Sequence, residues 1–137
     1  MRVAPLGAYH HGDPRRGPKP GAFMDAILAH TPPSTVRKGL ARARRMLNAT
    51  ADEVAYELGN GRRVTAQDTV PLTAWVAAQH LDDYPEAIRT CIRVGGDIDT
   101  TAAVTGGMVA ACTAADGIPP EWLAAREPLP TWLTETT

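Results

Sequence analysis

Gly95-Gly96-Asp97-Ile98-Asp99-Thr100-Thr101 is the segment whose residue types and spacing could do chemistry. Two glycines free the backbone, two carboxylates follow at i and i+2, and a hydroxyl comes directly after. The segment lies where a turn enters a long apolar stretch, so Asp97, Asp99 and Thr100 can present several hard oxygens to one point. Ligation by oxygen alone suits Mg²⁺, Mn²⁺ or Ca²⁺ rather than zinc. A structural reading fits the same spacing, with Asp99 as a helix N-cap and Asp97 as a turn residue, both favoured by the helix dipole. D-x-D-T is short and recurs by chance, and its spacing leaves both readings open.

The rest of the chemical inventory is sparse. The chain has no G-x-S-x-G, no H-E-x-x-H and no P-loop. His10 and His11 are adjacent in a breaker-rich stretch, without the i, i+4 spacing of a helical metal pair, and read as solvated. His30 and His80 fall at helix ends, where a cation near the C-terminus is stabilising. Asn60, between Gly59 and Gly61, is explained by a turn. Arg37, Lys38, Arg42, Arg44 and Arg45 form a basic run that reads as a solvated helix face. Cys91 and Cys112 make no disulfide framework and read as core thiols.

The elements that must position these residues read as helices throughout. Ala22 to His30 suits a short helix with Phe23, Ile27 and Leu28 inward, closed by Pro32-Pro33. Ser34 can cap a second, in which Val36, Leu40, Ala43 and Leu47 form one apolar stripe. Thr50 and Glu53 have capping-box spacing, Val54 and Leu58 face inward, and Gly59 is placed to stop that helix. Asp68 or Thr69 can cap the next, with Pro71 in its first turn and Trp75, Ala78 and Leu81 inside. Asp83 caps a helix striped by Ala87, Ile88, Cys91 and Ile92 and ended by Gly95-Gly96. From Thr100 to Ala115 the chain is small or apolar nearly all round, which predicts a buried central helix. Pro119-Pro120-Glu121-Trp122-Leu123 opens a short helical tail. No period-2 strand is convincing, so the expected class is all-α.

Length and composition agree. The 137 residues suit one domain, and 44% apolar with 21% charged residues is ordinary for a globular chain. A net charge of −1 supplies no field that would draw nucleic acid. The first residues contain no signal-peptide core, and no apolar run approaches a membrane span. The expectation is a soluble, cytoplasmic protein with no nucleic-acid or membrane partner.

Several ordered segments resemble one family. Gly95-Gly96-Asp97-Ile98-Asp99-Thr100, with Ala102, Ala103 and Gly106 behind it, resembles the C-terminal signature of the ADP-ribosylglycohydrolases, which include the dinitrogenase-reductase-activating glycohydrolase. Met1-Arg2-Val3-Ala4-Pro5-Leu6-Gly7 resembles the family's central Met-Arg-x-x-Pro-Leu-Gly stretch. Leu58-Gly59-Asn60-Gly61 followed by Thr69-Val70-Pro71, and the tail Ile118-Pro119-Pro120-Glu121-Trp122, resemble later elements in the right order. The resemblance implies an all-α bundle and a hydrolase that cleaves a glycosidic bond to ADP-ribose on a protein or small conjugate. It implies a two-metal site holding Mg²⁺ or Mn²⁺, with Asp97, Asp99 and Thr100 at the C-terminal ligand positions. Gly61 and Arg62 fall where the family approaches bound ADP-ribose.

Measured against the family pattern, the sequence departs in two places. Nothing matches the family's acidic Thr-Asp-Asp ligand cluster, since Leu81-Asp82-Asp83 lies downstream at a helix junction. Residues 11–21 read as a loop replacing a family segment. The expectation is that residues 1–137 form one truncated domain with half a metal centre, inactive alone. The alternatives are a non-catalytic ADP-ribose-binding remnant, or one half of a split enzyme completed by a missing N-terminal half or by self-association.

Overall fold

A computed structural model describes residues 19–128 and 130. Among the described residues, seven α-helices and one 3₁₀ turn account for the regular structure, and no strand occurs. The helices are α1 (Pro20–His30), α2 (Thr35–Arg45), α3 (Ala51–Leu58), α4 (Ala66–Gln79), α5 (Tyr84–Val94), α6 (Ile98–Thr113) and α7 (Pro120–Ala125), with the 3₁₀ turn at Ala115–Gly117 before α7. The all-α expectation holds.

Local chemistry sets most helix ends. The Ser34 hydroxyl accepts the Arg37 N–H at 3.1 Å. Thr50 and Glu53 form the reciprocal capping box, and two hydrogen bonds from Thr50 hold the Glu53 carboxyl below its usual range. Asp83 Oδ1 accepts the Glu86 N–H at 3.0 Å. Gly59 and Gly95 close α3 and α5 with φ of 97° and 66°, which a side chain would resist. Helix α1 starts at Pro20, two residues earlier than expected, so Pro20 and Gly21 are helical rather than loop. Of the rest of the 11–21 stretch only Lys19 is described, and His10, His11 and Met1–Gly7 lie outside the described residues.

The central helix is α4, not the Thr100–Ala115 segment. Every residue from Asp68 to Ala78 is buried, and α4 packs against α1, α2, α3, α5 and α6. Helix α6 buries only Thr101, Thr105, Gly106, Met108 and Val109, while Ala103 on its far side is exposed. Helix α4 begins at Ala66 after Thr65, so Asp68 and Thr69 are inside its first turn rather than capping it. Pro71 is the sixth helical residue, and it withholds a donor from the Gln67 carbonyl, which lies on the exposed first turn where solvent can serve it. Gly39 of α2 meets the Pro71 ring, where a Cβ would come within 2.6 Å of Cγ, so a missing side chain permits the close α2–α4 approach.

Polar residues of the core are paired rather than absent. Trp75 Nε1 donates to the Met46 carbonyl at 2.9 Å and Gln79 Nε2 to the Leu47 carbonyl at 2.5 Å, satisfying acceptors past the end of α2. Thr105 donates to the Thr73 carbonyl at 3.5 Å and receives the Cys91 thiol at 3.3 Å. Burial pushes the Cys91 thiol up, and Cys112 likewise, so both read as inert thiols. In α5 the inward positions are Ala87, Thr90 and Cys91, and Ile92, expected inside, is 54% exposed. Arg37 is not merely solvated: its guanidinium donates to the Leu28 and Thr31 carbonyls at the end of α1. Arg42 and Arg44 pair with Glu57 and Asp25. No helix among the described residues is long and apolar enough to cross a membrane.

Candidate functional site

Helices α3 and α4 are joined by a loop, Gly59–Thr65, that crosses to the junction of α5 and α6. The Asn60 carbonyl accepts the Asp97 N–H at 3.1 Å, and the Asn60 amide donates to the Val94 carbonyl at 3.3 Å. Asn60 therefore ties the end of α5 to the start of α6. Gly96, at φ 85°, sits against Asn60 so closely that a Cβ would overlap its carbonyl. Gly61 is buried at φ 88° and faces α6, where a Cβ would lie 2.9 Å from Asp97 Cβ and 3.4 Å from Thr101 Cγ2. The two sequence segments singled out for chemistry are thus brought into contact across more than thirty residues of chain.

Of the two aspartates it is Asp97, and not Asp99 as the structural reading of the spacing had it, that caps α6. Asp97 is the N-cap of α6, and its Oδ1 accepts the Thr100 N–H at 3.3 Å. Asp99 is the second helical residue and is exposed. The reason is the backbone turn at Gly95-Gly96, which delivers Asp97 to the end of the helix axis. Thr100 is half-buried in the same turn. Arg62, next to Gly61, is exposed.

These residues fit a hard cation in donor type: two carboxylates and a hydroxyl within one helical turn. They fall short of a complete cage, because among the described residues no group of three His, Cys, Asp or Glu side chains converges on a point. No general acid, base or nucleophile is singled out by the geometry. His80, expected as a stabilising cation, is the residue at the C-terminal end of α4. Burial lowers its pKa, partly opposed by Glu86, Asp83 and Asp82.

The residue that sequence reasoning misplaced is Asp68, expected to cap α4 and found buried beneath the Gly59–Thr65 loop. Asn60, explained from the sequence by its turn, proves to be the connector between motifs. Its signal was the pair of flanking glycines, which allow a backbone to pass close to another segment.

A family model described as ADP-ribosylglycohydrolase matches residues 16–137. The match takes in both the Gly59–Arg62 loop and the Gly95–Thr101 turn, and starts after the Met1–Gly7 stretch. No curated protein and no solved structure matches the chain. With the family pattern running over most of its length and an all-helical architecture to carry it, the chain belongs to the ADP-ribosylglycohydrolase family.

Proposed function

We propose that this chain is a glycosidic hydrolase acting on ADP-ribose attached to a protein side chain or a small acceptor, with Asp97, Asp99 and Thr100 as ligands for Mg²⁺ or Mn²⁺. The observation that supports it is the close approach of Gly61 to Asp97, which sets the Gly59–Thr65 loop against the Asp97–Thr100 turn. Arg62, exposed beside Gly61, would meet an ADP-ribose phosphate by charge-assisted hydrogen bonds, and Gly61 would let the backbone come close. A divalent ion at this turn would supply polarisation of ribose hydroxyls and activation of water. Asp97 keeps one carboxylate oxygen on the Thr100 N–H, so its second oxygen would be the one to bind the ion.

A second reading is that the chain supplies only part of the centre, as an ADP-ribose-binding remnant or as one half of a split enzyme. It is favoured by the lack of a converging third acidic or histidine side chain among the described residues. Hydrolysis of ADP-ribosyl-arginine and of O-acetyl-ADP-ribose, assayed with Mg²⁺ or Mn²⁺, separates the readings. On the second reading the chain alone shows no turnover, because metal activation and substrate placement are each worth orders of magnitude in rate. Adding the N-terminal half of a family relative is expected to restore turnover, which Asp99→Asn abolishes. Turnover by residues 1–137 alone supports the first reading, with a second copy of the chain, or residues such as His10, His11 or Asp13, completing the site.

A further inference from the structure

Asp68 is a carboxylate only 6% exposed, on the third residue of α4. Burying a carboxylate is costly, and a first-turn aspartate serves the helix dipole equally well from the surface. What Asp68 does from inside is hold the loop above it. Its Oδ2 accepts the Arg63 N–H at 2.8 Å, and its carbonyl accepts the Gly61 N–H at 3.0 Å. Gly59, at φ 97°, passes over the same carboxylate so closely that a Cβ there would overlap Oδ1. Three loop residues thus wrap one side chain and its carbonyl. The loop's far end is strained, since Val64 holds φ 53° while 83% exposed. Such strain persists only when neighbouring contacts over-determine the backbone. The anchored loop carries Asn60, whose carbonyl holds the Asp97 N–H, so a continuous hydrogen-bonded route runs from Asp68 to the first residue of the Asp97–Thr100 turn.

We infer that Asp68 is a positioning residue: from beneath the site its carboxylate fixes the Gly59–Val64 loop and, through Asn60, the Asp97 end of α6. It sets the separation between Arg62 and the Asp97 carboxylate without touching a ligand itself. What the loop is used for rests on the ADP-ribose reading above; how the loop is held does not.

The test compares wild type, Asp68→Ala and Asp68→Asn as the full chain, by residue-resolved amide hydrogen exchange and by calorimetric titration with ADP-ribose in the presence of Mn²⁺. Asp68→Ala is expected to speed exchange at Arg63 and Asp97 at least tenfold while Ala87 and Cys91 in α5 stay protected. Asp68→Asn, whose amide oxygen can still accept the Arg63 N–H, is expected to restore most of that protection. ADP-ribose affinity is expected to fall about tenfold in Asp68→Ala and to recover in Asp68→Asn. Unchanged exchange at Arg63 and Asp97 in Asp68→Ala overturns the inference. If Asp68→Ala loosens α5 as well, Asp68→Asn decides: protection kept at both amides supports the role, and protection lost with α5 intact overturns it. A wild type that binds no ADP-ribose sinks the substrate reading, and the exchange comparison still settles what Asp68 does.

Discussion

The carbonyl of Asn60 lies on the N–H of Asp97 at 3.1 Å, and Gly96 leaves the space that lets it. A residue in the loop after α3 thereby fixes the cap of α6. Gly96→Ala is expected to cost about 2–5 kcal/mol, combining a left-handed backbone with overlap against Asn60. Gly95, at φ 66°, has nothing within 4 Å of a Cβ. Gly95→Ala should therefore cost only the backbone part, about 1–3 kcal/mol. Denaturant melts of both variants check the difference, and equal costs would mean that the Asn60 contact is loose.

Val64 combines a β-branched side chain, a φ of 53° and 83% exposure, so no packing offsets its strain. Val64→Asn is expected to stabilise the chain by about 1 kcal/mol, raising the melting temperature by about 4 °C. A fall in melting temperature would show that the Val64 side chain has a partner in solution.

His80 predicts the direction of pH dependence. The Thr90 hydroxyl accepts from Arg93 at 3.0 Å and shares a hydrogen bond with His80 Nε2 at 3.2 Å. Burial lowers the His80 pKa from 6.5, because it disfavours the charged imidazole in the folded chain. The unfolded chain then binds more protons than the folded one as pH falls through 6.5, so stability rises with pH across that window and is lost below it. Thermal melts between about pH 5 and 7.5 should show this slope, and His80→Gln should flatten it. A slope of the same size in the variant would assign it to other groups.

Asp97→Asn and Asp99→Asn test the ligand role apart from activity. Asparagine caps a helix about as well as aspartate, so the double variant should lose less than about 1 kcal/mol of stability. Weak Mn²⁺ binding by wild type should disappear in it. If calorimetry finds Mn²⁺ binding unchanged, the two carboxylates are helix-end residues only.

The sequence by itself determined the helical class and the starts of α2, α3 and α5, because Ser34, Thr50 with Glu53, and Asp83 each satisfy a donor three residues away. It also carried the motifs by which the chain resembles its family. Only the tertiary structure decided which helix is central. Helix α6 has the more uniformly apolar and small composition, yet α4 takes the centre, with Asp68, Thr69 and Thr73 buried in it. The Thr73 hydroxyl finds a local partner in the Val70 carbonyl, but the burial of Asp68 depends on one that helix spacing does not reveal, the Arg63 N–H of a folded-back loop. The choice of Asp97 rather than Asp99 as the cap of α6 has the same origin. Both types suit a helix start, and the turn through Gly95-Gly96, fixed by Asn60 from another part of the chain, selects Asp97.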